Sequence, residues 1–257
     1  TSKYGSNEYI YATVPPIPPG TKYSDFPGGY SGCWISRHVK RTIEATPNFP
    51  TPPLVPTGGK VYRIANAGEK GLGMFATRLI HAGDLIIDEW PLIVVPTSNL
   101  ALKGLLDPLM IKYKPEQWKQ ITLHENNRGM ELAYNRLDPE RKKAFMVLFN
   151  CHTSDGSGEF MGARVRTNGI SIDETRLRDE GIFKTYNVLF VPSSLFPHSC
   201  CPNTFFRWHN DTFSVRVIAV RDIPKGAEIT LQYCSIMDPT AERAATLDCY
   251  GISPCAC

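Results

Sequence analysis

Pro192-Ser-Ser-Leu-Phe-Pro-His198-Ser199-Cys200-Cys201-Pro202-Asn203 opens the stretch that decides the fold. Phe205-Phe-Arg-Trp follows, His209-Asn210-Asp211 turns, and Thr212-Phe-Ser-Val-Arg-Val-Ile-Ala-Val-Arg221 returns. The return is alternating and β-branched, and Asn-Asp suits a hairpin turn, so the spacing predicts a strand pair. Ile223-Pro-Lys-Gly226 predicts a second turn, and Ala227 to Tyr233 predicts another strand. A histidine, cysteines, a kinked Cys-Pro-Asn and a tyrosine thus fall at strand ends, where a rigid sheet can aim them.

His198-Ser-Cys-x-Pro-Asn203, a strand pair, and then Gly226-x-Glu-Ile-x-x-x-Tyr233 together resemble the core of SET-domain protein lysine methyltransferases. Fungal SET proteins related to the SMYD group are the best fit, and the likeness runs over residues 60–257. It implies a β-rich α+β SET fold with a helical insert and a short cysteine-containing post-SET tail. The implied divisions are a proline-rich arm at 1–59, a SET body at 60–240 and a partial tail at 241–257. Within the body, 60–99 is the first SET segment, 100–160 the insert and 161–240 the core.

Outside that core, Val14-Pro-Pro-Ile-Pro-Pro-Gly20 and Phe49-Pro-Thr-Pro-Pro-Leu-Val-Pro56 hold many of the 21 prolines. Proline lacks the amide donor and fixes φ, so 1–59 is expected to be an extended, mostly irregular arm, with Cys33-Trp-Ile35 able to dock on the body. Lys60 to Ile64 predicts a strand. Gly71-x-Gly73-x-x-Ala76 imitates a dinucleotide-binding loop, but that loop must open a helix, and Asp84-Leu-Ile-Ile87 is strand-like. Helices are predicted from Pro115 and from Pro139, the latter capped by Asp138, with Phe145, Leu148 and Phe149 on one face against the sheet. No paired CxxC spacing occurs at 100–150, so a MYND zinc module is not expected there. Cys151-His152 reads as two loop residues, and Asn168-Gly169 as a turn before Ile170 and Ile172.

What the resemblance implies about chemistry is methyl transfer from S-adenosylmethionine to a lysine amine of a protein, histone or otherwise. Tyr233 would stand at the reactive end of the lysine channel. Lys70, Gly71, Leu72, Gly73, Asn168, Ser194, Phe196, Pro197, His198 and Tyr250 would hold the cofactor. Cys200, Cys255 and Cys257 would bind a structural zinc. Its last ligand would lie past residue 257, or Cys201 or Cys249 would replace it. Two departures stand out: Pro197 replaces an asparagine that bonds the cofactor, and Ala227 replaces a glutamate. They leave open a SET-fold interaction scaffold with weak or no activity. A Cys/His hydrolase built on His152 or His198 is a third reading.

Bulk composition agrees with a globular protein, 42% of the residues being hydrophobic. A net charge of +3 with no basic block argues against nucleic-acid binding. No apolar run is long enough to span a bilayer. The uneven spacing of the eight cysteines suits metal ligation better than disulfides. The chain opens on Thr1 without a signal-peptide pattern, and Asn210-Asp-Thr212 is taken as the hairpin turn rather than a glycosylation site. A monomer in the nucleus or cytoplasm is expected. Asp173, Glu174, Asp179 and Glu180 read as a solvated face able to attract a lysine-rich substrate.

Overall fold

The computed structural model describes residues 9–18, 20–21, 29–68, 71–97, 112–152, 161–173, 185–190, 195–252 and 255, with Lys119, Asp173 and Thr185 described by their backbone alone. The chain divides into two compact units. The first comprises 1–52, 90–190 and the hairpin tip 210–213; the second comprises 53–89, 191–209 and 214–257.

The first unit is built on a five-stranded sheet in the order β1-β2-β6-β8-β7. Its strands are β1 (Tyr9–Val14), β2 (Ser31–Ser36), β6 (Ile93–Pro96), β7 (Ile170–Asp173) and β8 (Thr185–Leu189). β2 and β6 run parallel, and the other neighbours are antiparallel. Every residue of β2 is buried. Trp34 stacks on Tyr11 at 5.9 Å and meets the edge of Tyr9 at 6.3 Å. Ser36 then caps α1 (Arg37–Glu44), its hydroxyl accepting from the Val39 amide at 3.2 Å. The reading of 1–59 as an irregular arm is corrected here: β1, β2 and α1 all lie within it. The prolines sit between these elements rather than inside them.

Both predicted helices form, as α2 (Pro115–Tyr134) and α3 (Pro139–Met146). In α2, any side chain at Gly129 would collide with the Trp34 ring, so the absence of a Cβ lets the helix lie directly on β2. Asp138 caps α3 by accepting from the Arg141 amide at 3.0 Å, and Tyr30 donates to the same carboxylate at 2.9 Å. Phe145 and Leu148 are buried, but Phe149 is 63% exposed. The helix stops at Met146, so its 3.6-residue period no longer sets where Phe149 points. A fourth helix, α4 (Met161–Asn168), ends on Asn168, which reads in sequence as part of an Asn-Gly turn. Asp173 is described by backbone only, and Glu174, Asp179 and Glu180 lie outside the described residues.

The second unit holds the hairpin β3 (Tyr62–Asn66) with β4 (Leu72–Ala76) and the sheet β5-β10-β9. β5 is Leu85–Glu89, β9 is Thr204–His209 and β10 is Ser214–Ala219. The glycine-rich loop therefore joins two strands, and no helix follows it, as expected. Thr212 and Phe213 belong to the turn rather than the strand: Phe213 adopts a positive φ of 52°, and its amide bonds the Asn210 carbonyl at 3.2 Å. Met74, Ile86, Phe196, Val217 and Ile229 form the core of this unit. Inside it, the carboxylate of Asp88 accepts from the Arg216 guanidinium at 3.1 Å and the Leu54 amide at 2.9 Å. A tail helix, α5 (Thr240–Asp248), completes the unit. The mixture of helices and largely antiparallel sheets is the α+β class expected.

Candidate functional site

Residues 227–233 form isolated bridges at Glu228 and Leu231 rather than the regular strand expected. Gly226, with φ of +84°, ends the tight turn after Pro224. The segment then changes partner along its length. Ala227 accepts from the Ala76 amide at 2.9 Å, and Ile229 donates to the Met74 carbonyl at 2.7 Å. Leu231 donates to the Pro197 carbonyl at 3.0 Å and accepts from the Ser199 amide at 2.8 Å. Between these contacts sits Asn203. Its side-chain oxygen accepts from the Thr230 amide at 2.8 Å, and its side-chain nitrogen donates to the Glu228 carbonyl at 2.8 Å. One amide side chain thus stands in for a neighbouring strand.

This weave brings the 196–203 and 226–233 segments together. The Tyr233 hydroxyl donates to the Phe196 carbonyl at 2.6 Å. The Tyr233 amide donates to His198 Nδ1 at 3.1 Å, and the two rings lie 5.4 Å apart. Tyr250 approaches Tyr233 from the tail at 5.0 Å. Tyr233 keeps 36% of its surface exposed, whereas Phe196 beneath it is 1% exposed. Burial, and then Tyr250 beside it, push the Tyr233 phenol up to about 12. Burial, helped by the positive charge of Arg243, holds His198 below its ordinary range.

A second group adjoins this one. His198, Cys200 and Cys255 have potential ligand atoms all within 4.8 Å of one another. Two thiolates at about 2.3 Å from one tetrahedral zinc lie about 3.8 Å apart, and the Cys200 and Cys255 sulfurs are 3.8 Å apart. Cys200 and Cys255 therefore fit a shared metal. The suggested replacements do not join them: Cys201 meets the Arg221 guanidinium at 3.2 Å, and Cys249 bonds the Thr246 carbonyl at 3.5 Å. His198 enters the group although sequence reasoning gave it no place beside the sulfurs. It lies two positions before Cys200, and its Nε2 reaches that sulfur at 3.2 Å.

Of the residues expected to hold a cofactor, Phe196, Pro197, His198 and Tyr250 gather around Tyr233. Gly71, Leu72 and Gly73 sit at the start of β4, with Gly71 at φ of +79° and open space around it. Asn168 lies in the first unit, ending α4. Its side-chain nitrogen donates to the Phe149 and Arg164 carbonyls at 2.7 and 2.8 Å. Lys70, Ser194 and Cys257 lie outside the described residues. A Cys/His hydrolase finds little support: His198 Nδ1 is met by a backbone amide rather than an orienting carboxylate. Among the described residues no helix is long and apolar enough to cross a membrane.

The chain is similar to histone-lysine N-methyltransferase set5 of Schizosaccharomyces pombe, at 29% identity over 188 residues, covering 73% of this chain and 46% of that protein. It is similar to N-lysine methyltransferase SMYD2-B of Danio rerio at 33% over 164 residues, covering 63% and 32%. With SMYD2-B of Xenopus laevis it shares 34% over 110 residues, covering 42% and 24%. The chain thus spans less than half the length of each of these relatives. The family model of the SET domain matches residues 71–234, more than half of the chain, from the start of β4 past Tyr233. The chain belongs to the SET-domain family.

Proposed function

We propose that this chain transfers a methyl group from S-adenosylmethionine to the side-chain amine of a lysine in a protein. The observation that carries the reading is the Tyr233 hydroxyl held 2.6 Å from the Phe196 carbonyl, where the two family segments meet. Bound S-adenosylmethionine supplies an electrophilic methyl group and a neutral sulfide as leaving group. The chain's own part is alignment and exclusion of water. A lysine amine near its ordinary pKa of about 10.4 is protonated and cannot attack. An apolar channel disfavours the ammonium and releases its proton to solvent. Tyr233, pushed up to about 12, stays a neutral phenol and is no base at neutral pH. With its proton committed to Phe196, its oxygen can accept an N–H of the amine and turn the nitrogen lone pair toward the methyl group.

The backbone around His198 suits a cofactor. A parallel bridge uses the carbonyl and amide flanking a residue, here Pro197 and Ser199, and turns the residue's own amide and carbonyl to the other side. His198 is then free to present both groups to an adenine. Gly71 to Gly73 would offer backbone to the methionine part, with Lys70, Ser194 and Tyr250 beside it. Cys200 and Cys255, with Cys257, would hold a structural zinc that ties the tail down. We take 60–240 as the body, 100–160 as its insert and 241–257 as part of the tail. The substrate is a protein with an exposed lysine in the nucleus or cytoplasm.

Pro197 favours a second reading, an interaction scaffold, because it has no side-chain amide and its carbonyl is spent on Leu231. Calorimetry with S-adenosylmethionine separates the two. The expected result is measurable binding by the natural chain, tightened roughly tenfold to a hundredfold in Pro197→Asn. No binding by either form at millimolar cofactor selects the scaffold.

A further inference from the structure

We infer that His198 is not a ligand of the tail metal but the hydrogen-bonded link between its Cys200 sulfur and Tyr233. This rests on the metal reading above and deepens it. A backbone amide can only donate, and the Tyr233 amide points at Nδ1 from 3.1 Å. Nδ1 must therefore present its lone pair. In a neutral imidazole the proton then sits on Nε2. Nε2 lies 3.2 Å from Cys200 Sγ, so the contact is an N–H donated to sulfur. A nitrogen that carries a proton has no lone pair for a metal.

The spacing agrees. Two ligands on one tetrahedral zinc, with nitrogen at about 2.0 Å and sulfur at about 2.3 Å, stand about 3.5 Å apart. The His198–Cys200 separation is shorter, whereas the Cys200–Cys255 separation fits a shared metal. An N–H donated to a thiolate stabilises its charge and fixes its direction. The imidazole also anchors the backbone of Tyr233, whose hydroxyl is set against Phe196. His198 is thus a positioning residue through which filling the tail site steadies the reactive tyrosine.

The test is histidine ring-nitrogen NMR on the isotopically labelled natural chain, without metal and then loaded with NMR-active cadmium. The His198 signals are assigned by their absence from His198→Gln or, should that variant not fold, by through-bond correlation to its backbone. The expected spectrum has a proton on Nε2 and a bare Nδ1 in both states, with no cadmium coupling to either nitrogen. His198→Gln should still take up about one cadmium per chain, roughly tenfold to a hundredfold more weakly. A proton on Nδ1, or a one-bond cadmium coupling to Nε2, overturns the inference. If the natural chain takes up no cadmium, the metal reading fails on its own, and the metal-free spectrum still decides the His198 link.

Discussion

β2 and the segment 226–233 hold their backbones in opposite ways. β2 pairs with β1 over six consecutive residues, from Tyr9↔Ser36 to Val14↔Ser31, and every one of its side chains is buried. The 226–233 segment spreads its bonds over Ala76, Met74, Asn203, Pro197 and Ser199, rarely meeting one neighbour twice in succession. A ladder makes one uniform surface. A weave gathers residues from several parts of the chain at one point, and His198, Phe196 and Tyr233 meet because of it. The first arrangement is buried along its whole length, whereas the second adds specific polar bonds to the burial of Ile229 and Leu231.

That contrast can be broken by substitution. Ile35→Ala in β2 removes a fully buried side chain and should cost about 2–5 kcal/mol. Urea unfolding reads the loss directly, and a cost under about 1 kcal/mol would mean that β2 is not a packed core strand. Asn203→Ala should cost less, about 1–3 kcal/mol, because it leaves the Thr230 amide and Glu228 carbonyl without their partner. The same variant should weaken methyl transfer, since the released backbone leads to Tyr233. Equal unfolding midpoints for Asn203→Ala and the natural chain would show that the weave does not depend on this side chain.

The smallest effect concerns pH. Tyr233 has its phenol raised to about 12, so the neutral form is favoured in the folded state. The associated stability is fully present below the ordinary tyrosine value of about 10 and is lost as pH rises through about 12. Ultraviolet titration of the natural chain against Tyr233→Phe should show no ionisation of this residue between pH of about 7 and about 10. A difference in that window would reveal a phenolate and give Tyr233 a base's role.

The weave was legible in its residue types before its bonding was. Pro197 to Asn203 and Gly226 to Tyr233 carry side chains and turns unusual enough to be read together. The β10 strand followed from alternation, β9 from the hairpin turn after it, β3 and β5 from short strand-like runs, and α2 and α3 from their proline starts. The ladder was hidden because proline density was averaged over 1–59. In fact Val14 ends β1 just before the first pair, and the second group follows α1. Helix α4 was missed because Gly162 and Asn168 depress helix propensity, and burial against other elements overrides it; the Gly162 amide bonds Asn127 of α2 at 3.0 Å. Asn203 could have been suspected as a polar side chain after a proline, beside a segment whose peptide groups needed partners. The meeting of Cys200 with Cys255 came from the family resemblance alone, since no local pattern joins positions 55 residues apart.

The most direct test follows transfer of labelled methyl from S-adenosylmethionine to core histones and to a whole protein extract, comparing the natural chain with Tyr233→Phe. Label on lysine is expected from the natural chain. Tyr233→Phe should bind cofactor unchanged, yet transfer roughly a hundredfold more slowly or alter the number of methyl groups added. A natural chain that binds S-adenosylmethionine but labels no lysine, or a Tyr233→Phe variant with unchanged rate and products, would contradict the role assigned to this site.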